Sequence, residues 1–501
     1  MNTDERFFGI LMPIFSLPEK HGIGTLGKAA YKFVDFANEC GAKVWQMLPL
    51  NVTSYGDSPY QSPSSTGLNY YFIDLDTLVE EGLLKEDDID DSLLKYDDNH
   101  VNYEKLFHNR LPILKKAFSH FKRNDPDFIK FIRDGEYNDF ALYMVLKEKN
   151  NYRPFYEWND EERNYTPELE ESIKKDYKEL YEFYVWTQFE FLKQYKKLKT
   201  YANKKGISIM GDMPIYVAYD SVEAYKYPEL FLFDENHKPT MIAGVPPDAF
   251  SEDGQLWGNP LYDWDAQKET GYKWFNNRIA KNLELFDILR IDHFRGFSAY
   301  YAIPYGMKNA KIGKWIDGPK FDLFRDKTEL PIIAENLGVI DDGVINLLEE
   351  TKYPGMEVVL FTINNDYEPD SNKPWNAIKN SVTYVGTHDN ETAMGTLKGL
   401  KDEDLNFYKK VIEKCCDYLK IEYKDETLDD LVDTINRMAL AYPSFGTIIS
   451  MQDLLHLDNS ARINFPSTLS TDNWSYRFNE EDFSSKLAKE INTLVEANNR
   501  K

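Results

Sequence analysis

Eight short apolar runs alternate with helical patterns along almost the whole chain, and this alternation restricts the possible folds more than any other feature. Continuous apolar runs of this length are typical of parallel strands that are buried on both faces. The predicted strands cover residues 7–15, 43–50, 206–217, 288–291, 330–338, 357–361, 381–391 and 446–453. Eight such strands separated by helices predict an α/β fold, the (β/α)8 TIM barrel.

Three long segments between the predicted strands indicate that the barrel carries inserted subdomains. We expect a helical insertion at about 76–205 after strand two, a loop subdomain at about 218–285 after strand three, and a helical insertion at about 400–441 after strand seven. A single barrel with insertions can reach 501 residues. No segment has the composition of a flexible linker, so we expect residues 1–501 to form one catalytic domain without a separate C-terminal β-domain.

Charge and composition exclude several classes of function. The formal net charge of −25 argues against nucleic acid and anionic membrane surfaces as partners and favours a neutral substrate. Aromatic residues make up 15% of the chain, which suits sugar rings, although most of them must belong to the core. The N-terminus lacks the pattern of a signal peptide, and no apolar run reaches the roughly 18 residues of a membrane span, so we expect a cytoplasmic protein. Composition leaves monomer and homodimer open.

A glycine-rich segment offers a weak alternative function. Gly22, Gly24 and Gly27 have the spacing of a dinucleotide-binding fingerprint, and Asp35 or Glu39 could supply the acidic residue. That fingerprint needs a strand directly before it. Here Pro13 and Pro18 interrupt the strand, which argues against a nucleotide site.

Carboxylates follow three of the predicted strands directly. Asp292 follows Ile288-Leu-Arg-Ile291, Glu335 closes strand five, and Asp389 closes strand seven beside His388. The C-terminal ends of barrel strands meet on one face, where such enzymes have their active sites. We therefore expect these carboxylates to converge, together with Arg290 and His293. A structural ion pair of Asp292 with Arg290 or Arg295 is the simpler alternative for the first of them.

This set of groups suits retaining glycosidic-bond chemistry, which needs one ionised and one protonated carboxyl group about 5–5.5 Å apart. Because Arg290 and Arg295 flank Asp292 and should lower its pKa, we assign it as the nucleophile, and Glu335, among apolar residues, as the acid/base. Asp389 with the two histidines would bind ring hydroxyls. Asp and His could also hold a divalent cation, but no typical metal-binding spacing is present and arginines crowd the same strand.

Two long loops supply further candidates for the substrate-binding site. Tyr60 lies in the loop 51–69 and could stack on a ligand, although a packing role explains it equally well. The stretch 244–262 has the composition of a rigid binding loop or lid, from which Asp248, Phe250 and Trp257 could project.

Several motifs resemble those of the 4-α-glucanotransferases of glycoside hydrolase family 77, the amylomaltases or disproportionating enzymes, relatives of the α-amylases. The resemblance runs from about Phe7 to Arg477. It is carried by Ser-Pro-Tyr-Gln at 58–61, Gly-Asp-Met-Pro-Ile-Tyr-Val at 211–217, Gly-Val-Pro-Pro-Asp-Ala-Phe-Ser at 244–251, Gly-Gln-Leu-Trp-Gly-Asn-Pro at 254–260, Arg-Ile-Asp-His-Phe-Arg-Gly at 290–296, Ala-Glu-Asn-Leu-Gly at 334–338 and Gly-Thr-His-Asp-Asn at 386–390.

The resemblance implies that an α-1,4 bond is broken, that a covalent glucosyl-enzyme forms, and that the glucan passes to the 4-hydroxyl of another sugar. It implies Asp292 as nucleophile, Glu335 as acid/base and Asp389 as the stabilising third carboxylate, and it implies no metal or organic cofactor. Donors would be maltooligosaccharides or glucans derived from starch or glycogen, and acceptors glucose or a glucan. The substrate-binding residues implied are Tyr60, Asp212, Asp248, Trp257, Arg290, His293, His388 and Asn464.

The tail departs from the family pattern at two positions. Ser467 stands where the family has glycine in Asn-x-Pro-Gly-Thr, and Asp472 stands where glycine is usual before Asn473-Trp474. These departures concern the loop shape and not the three carboxylates. Two alternatives stay open from the sequence, an α-glucan hydrolase and a non-catalytic glucan-binding protein. The presence of all three carboxylates argues against the second.

Overall fold

The computed structural model describes residues 5–247, 251–370 and 372–501, and twelve strands lie within these ranges. In chain order they are β1 Phe7–Leu11, β2 Val44–Gln46, β3 Ser208–Met213, β4 Met241–Val245, β5 Gln255–Pro260, β6 Ile288–Ile291, β7 Ala299–Pro304, β8 Lys314–Asp317, β9 Ile332–Ala334, β10 Gly355–Val358, β11 Ser381–Tyr384 and β12 Gly446–Ser450.

Eight of these strands form one parallel sheet in the order β10-β11-β12-β1-β2-β3-β6-β9. The sheet nearly closes, because Ala334 at the end of β9 donates its N–H to the carbonyl of Pro354 just before β10. Each of the eight predicted strands coincides with one of these, which confirms the (β/α)8 barrel. Three predicted strands end too late, since Ile14–Ser16 forms a 3-10 helix and Val359–Ile363 and Met451–Leu454 are α-helical.

A second sheet was not predicted from the sequence. It is antiparallel in the order β5-β4-β7-β8, and its strands come from the segments that follow β3 and β6. One of them, β5, lies within the stretch 244–262 that we predicted to be a rigid loop, and β4 ends at the start of that stretch. This sheet stands beside the C-terminal end of the barrel strands and supplies one wall of the site described below.

The helices lie between the strands and after the last of them. In the described residues they are α1 Lys28–Glu39, α2 Leu75–Glu80, α3 Tyr103–His120, α4 Pro126–Asp134, α5 Asn138–Lys149, α6 Asp160–Arg163, α7 Pro167–Asp176, α8 Lys178–Lys204, α9 Val222–Lys226, α10 Trp264–Glu269, α11 Lys273–Leu285, α12 Asp342–Thr351, α13 Val359–Ile363, α14 Ala393–Gly399, α15 Asp402–Leu419, α16 Leu428–Ala441, α17 Met451–Leu454 and α18 Ser485–Ala497. None of these helices is long and apolar enough to cross a membrane.

The glycine-rich segment before α1 is explained by packing. A Cβ at Gly24 would lie 1.8 Å from the carbonyl oxygen of Ile14, and one at Gly27 would lie 2.4 Å from the carboxylate of Asp74. Glu19 also accepts the N–H of Ala29 in the first turn of α1. Two carboxylates therefore occupy the helix N-terminus where a dinucleotide phosphate would have to bind, and the nucleotide alternative is wrong.

Candidate active site

Strand register brings the first charged groups of the site together. Asp212 on β3 and Arg290 on β6 are direct register partners, so their side chains lie next to each other at the C-terminal end of the barrel. Nη1 of Arg290 lies 2.8 and 2.7 Å from the two carboxylate oxygens of Asp212 and 3.0 Å from Oδ1 of Asp292. Arg290 and Asp212 are almost fully buried, whereas 27% of the Asp292 side chain is exposed. One guanidinium thus pairs with two carboxylates, and of these three side chains only that of Asp292 opens to solvent.

Glu335 is held by backbone N–H groups rather than by a cation. Its Oε2 accepts the N–H of His293 at 2.7 Å, and its Oε1 accepts the N–H of Leu337 at 2.6 Å. His293 adopts a left-handed conformation with φ of 51°, which is uncommon for a residue with a side chain. Strained backbone of this kind is frequent at functional sites, and here it directs an N–H at a carboxylate.

Burial and mutual repulsion determine the protonation of the two carboxyl groups. Burial raises the pKa of Asp292 to about 6, and Arg290 only partly offsets this because it is shared with Asp212. Burial and the charge of Asp292 raise the pKa of Glu335 to about 7. The expectation of a lowered pKa for Asp292 is therefore wrong. The order of the two groups still leaves Asp292 as the one that ionises first.

Arg295 does not flank Asp292, contrary to the expectation from the sequence. The turn Phe294–Phe297 directs its side chain away, so that it donates to the carbonyl of Val339, pairs with Asp341 and lies 4.0 Å from the ring centre of Trp315. Of the two ion pairs considered for Asp292, only the one with Arg290 forms.

Asp389 lines the cavity and is oriented by polar neighbours. Asn464 donates its side-chain amide to Oδ1 at 2.6 Å, and Nε2 of His388 lies 3.4 Å from Oδ2. Arg462 donates to the backbone carbonyl of Asp389 at 2.7 Å. The carboxylate itself is 44% exposed and free to meet a ligand in the cavity.

Tyr60 combines a hydrogen bond with aromatic stacking. Its hydroxyl donates to Oδ2 of Asp212 at 2.7 Å, and its ring stacks on His388 with a centroid distance of 5.1 Å and an interplanar angle of 15°. Trp474 packs at an angle against both rings. Tyr60 therefore links the buried ion pair to the imidazole beside Asp389.

A second aromatic group lies on the side of β5. The rings of Trp257 and His293 meet edge to face with centroids 4.8 Å apart. Burial and the charge of Arg295 lower the pKa of His293 to about 3, so its imidazole is neutral. Gln61 donates its amide to Oδ1 of Asn259, which connects the loop 51–69 to β5.

All of these groups surround a cavity of about 620 Å³. Seven of the candidate residues from the sequence line it directly, and these are Tyr60, Trp257, Asp292, His293, His388, Asp389 and Asn464. Asp212, Arg290 and Glu335 lie behind this lining and act on it through the contacts given above. Asp248 and Phe250 lie outside the described residues.

The cavity also contains residues to which sequence reasoning gave no role. Tyr216, Gln61 and Asn259 line it, and each belongs to a motif quoted for the family resemblance, so the motifs were the available signal. Trp474 lines it from a polar tail whose pattern gives no indication of burial.

The two tail positions that depart from the family pattern, Ser467 and Asp472, differ in backbone conformation. Ser467 lines the cavity and has a left-handed φ of 63°, where glycine carries no steric cost. Asp472 does not belong to the residues with positive φ, so a side chain is tolerated there without strain.

Comparison with known proteins identifies the family of the chain. The family model described as 4-alpha-glucanotransferase matches residues 12–482. A 4-alpha-glucanotransferase of Clostridium butyricum is 42% identical over 494 residues, covering 97% of this chain and 99% of the relative. One from Streptococcus pneumoniae strain TIGR4 is 43% identical over 487 residues, covering 95% and 94%.

A solved structure supports the same relationship. The amylomaltase from Streptococcus agalactiae in complex with acarbose superposes with a TM-score of 0.92 at 39% identity and covers 99% of this chain and 100% of that one. The chain therefore belongs to the 4-alpha-glucanotransferase family, glycoside hydrolase family 77.

Proposed function

We propose that the chain transfers a segment of an α-1,4-glucan to the 4-hydroxyl of glucose or another glucan by a retaining double displacement. The observation that carries this mechanism is the pairing of Asp292 and Glu335. Burial raises the pKa of both carboxyl groups, the charge of Asp292 raises that of Glu335 further, and of the two only Asp292 has a guanidinium within ion-pair distance. Such a pair holds one proton near neutral pH, as a nucleophile and an acid/base require.

In the first step the Asp292 carboxylate attacks the anomeric carbon while Glu335 gives its proton to the leaving 4-oxygen. A glycosyl ester with Asp292 forms, and the shortened glucan departs. In the second step the 4-hydroxyl of the acceptor attacks the same carbon, Glu335 takes the proton of that hydroxyl, and Asp292 leaves as a carboxylate. The carboxyl groups should lie roughly 5–5.5 Å apart when sugar is bound.

The remaining candidates orient the sugar and the carboxylates. Asp389, held by Asn464 and His388, would accept hydrogen bonds from ring hydroxyls and stabilise the positive charge that develops at the anomeric carbon. Tyr60 and Trp257 would contact sugar rings in the cavity. Asp212 and Arg290, which lie behind the cavity lining, position the side chains of Tyr60 and Asp292. This mechanism uses no cofactor.

Incubation with maltotriose as the sole substrate tests the proposal. Transfer produces glucose together with longer maltooligosaccharides while the number of glycosidic bonds stays constant. A rise in reducing ends without longer products would mean hydrolysis and would contradict transfer. No turnover at all would favour a binding protein. An Asp292→Asn variant in parallel excludes a contaminating enzyme.

A further inference from the structure

We infer that three tyrosines beside the cavity, Tyr156, Tyr219 and Tyr305, form a second contact site for long α-1,4-glucan chains. We call them the tyrosine platform. The inference rests on the proposed function in one respect, that the substrate is an α-1,4-glucan. It concerns a part of the glucan remote from the reacting bond, which the cavity itself does not hold.

In the platform, two exposed tyrosine rings pack against one buried tyrosine ring. The rings of Tyr156 and Tyr219 stack with centroids 4.6 Å apart and an interplanar angle of 9°, and Tyr305 meets Tyr219 edge-on at 6.3 Å. Tyr219 is buried beneath the other two, whereas Tyr156 and Tyr305 are 37% and 47% exposed. Two tyrosine rings are therefore available at the surface on either side of one buried ring.

A buried ion pair holds the platform in place. Asp220, which directly follows Tyr219, accepts the N–H of Phe155 at 3.0 Å and lies 2.5 Å from Nζ of Lys147. The same ammonium group donates to the carbonyls of Tyr152 and Arg153. The segment that carries Tyr156 is thus tied to the segment that carries Tyr219. A rigid aromatic surface loses little conformational entropy when it binds a ligand.

Two chain segments place the platform close to the cavity. Tyr219 lies three residues after Tyr216, and Tyr305 lies three residues before Lys308, and both Tyr216 and Lys308 line the cavity. Three residues span at most about 11 Å. A glucan that leaves the cavity on this side needs only a few more sugar residues to reach the platform.

The chemistry of the platform suits a neutral sugar chain. A tyrosine ring offers a flat apolar face for the C–H surface of a pyranose and a hydroxyl at its edge for hydrogen bonding. The hydroxyl of Tyr219 already donates to the carbonyl of His237, which leaves the hydroxyls of the two exposed tyrosines for a ligand.

The test compares one short and one long donor in the double variant Tyr156→Ala/Tyr305→Ala. We expect the KM for amylose to rise about fivefold, as the loss of aromatic contacts of this kind implies, while kcat is unchanged. The KM and kcat for maltotriose, which is too short to span both sites, should stay at the values of the unmodified enzyme. Retardation in a native gel that contains amylose should decrease in the same variant.

Three controls make the result decisive. Tyr156→Phe/Tyr305→Phe keeps the rings and should retain most of the amylose affinity, and Tyr418→Ala removes a 53% exposed tyrosine on α15 and should have no effect. Tyr305→Ala alone leaves the Tyr156–Tyr219 stack intact and should give a smaller rise in KM if the double variant folds poorly. An unchanged amylose KM, or an equal loss with both donors, would overturn the inference. If the unmodified protein fails to transfer from maltotriose, the proposed function fails, and the gel retardation still tests the platform.

Discussion

The backbone N–H of His293 donates to the carboxylate of Glu335 over 2.7 Å, so the residue that follows the proposed nucleophile fixes the proposed acid/base. This bond exists because His293, the second residue after β6, takes a left-handed φ of 51°. The backbone geometry and the imidazole ring of His293 therefore have separate roles, and substitutions can separate them.

His293→Asn keeps a residue that tolerates the left-handed conformation and removes the imidazole. We expect a higher KM for maltotriose, because the contact with Trp257 is lost, and a kcat within about threefold of the unmodified enzyme. His293→Val cannot adopt this φ without strain, so it displaces the N–H and lowers kcat by about tenfold or more. Steady-state kinetics of both variants provide the measurement. Equal losses of kcat in the two would show that the ring, and not the N–H, matters for Glu335.

Asp292→Asn and Glu335→Gln test the two catalytic roles directly. Removal of a nucleophile or of its acid/base partner should lower transfer from maltotriose by about 10³-fold or more. Asp317→Asn changes an exposed aspartate on β8 and serves as the matched control with full activity. With α-maltosyl fluoride, whose leaving group needs no proton, Glu335→Gln should regain part of its first-step rate and Asp292→Asn none. Recovery in Asp292→Asn would contradict its role as nucleophile.

The pH profile of kcat/KM follows from the two raised pKa values. Asp292 must be ionised, so activity should fall as the pH decreases below about 6. Glu335 must be protonated for the first step, so activity should fall as the pH increases above about 7. Because the groups interact, the two limbs report the pair rather than either residue alone. With the fluoride donor, Glu335→Gln should lose the alkaline limb. An alkaline limb that persists there belongs to another group.

The barrel and the position of its carboxylates could be predicted because buried parallel strands have a distinct apolar pattern and their ends meet on one face. The second sheet could not, because β5 contains Gly258 and Pro260, and because β4 pairs on its other side with β7, which comes from the far side of β6 in the sequence. Arg295 was misplaced because its side-chain direction depends on the turn Phe294–Phe297, which sequence spacing alone does not indicate. Trp474 is buried by the fold of an irregular tail that has no periodicity.

Ser467→Gly should stabilise the protein, because the left-handed φ of 63° costs a residue with a Cβ about 1 kcal/mol that glycine does not incur. The gain in the free energy of unfolding should be about 0.5–1 kcal/mol after the greater flexibility of unfolded glycine is taken into account. Ser470→Gly in the same loop should destabilise instead, since it also removes the hydroxyl that accepts the N–H of Asp472. Chemical denaturation of both variants measures the difference. The same sign in both would contradict the argument from φ.

The buried Glu357 on β10 makes the free energy of unfolding depend on pH, independently of the active site. Burial, with a smaller contribution from Asp370, raises its pKa from 4.5 to about 8. Between these values the folded state binds a proton that the unfolded state has released, so stability decreases as the pH rises through this window. Glu357→Gln, which stays neutral, should increase the free energy of unfolding at pH 8 by a few kcal/mol more than at pH 5. Glu350→Gln, an exposed change on α12, should show no such difference. Urea denaturation at both pH values measures these free energies. An equal effect of Glu357→Gln at pH 5 and pH 8 would mean that the carboxyl group of Glu357 has the same pKa in the folded and unfolded states, which would contradict the prediction.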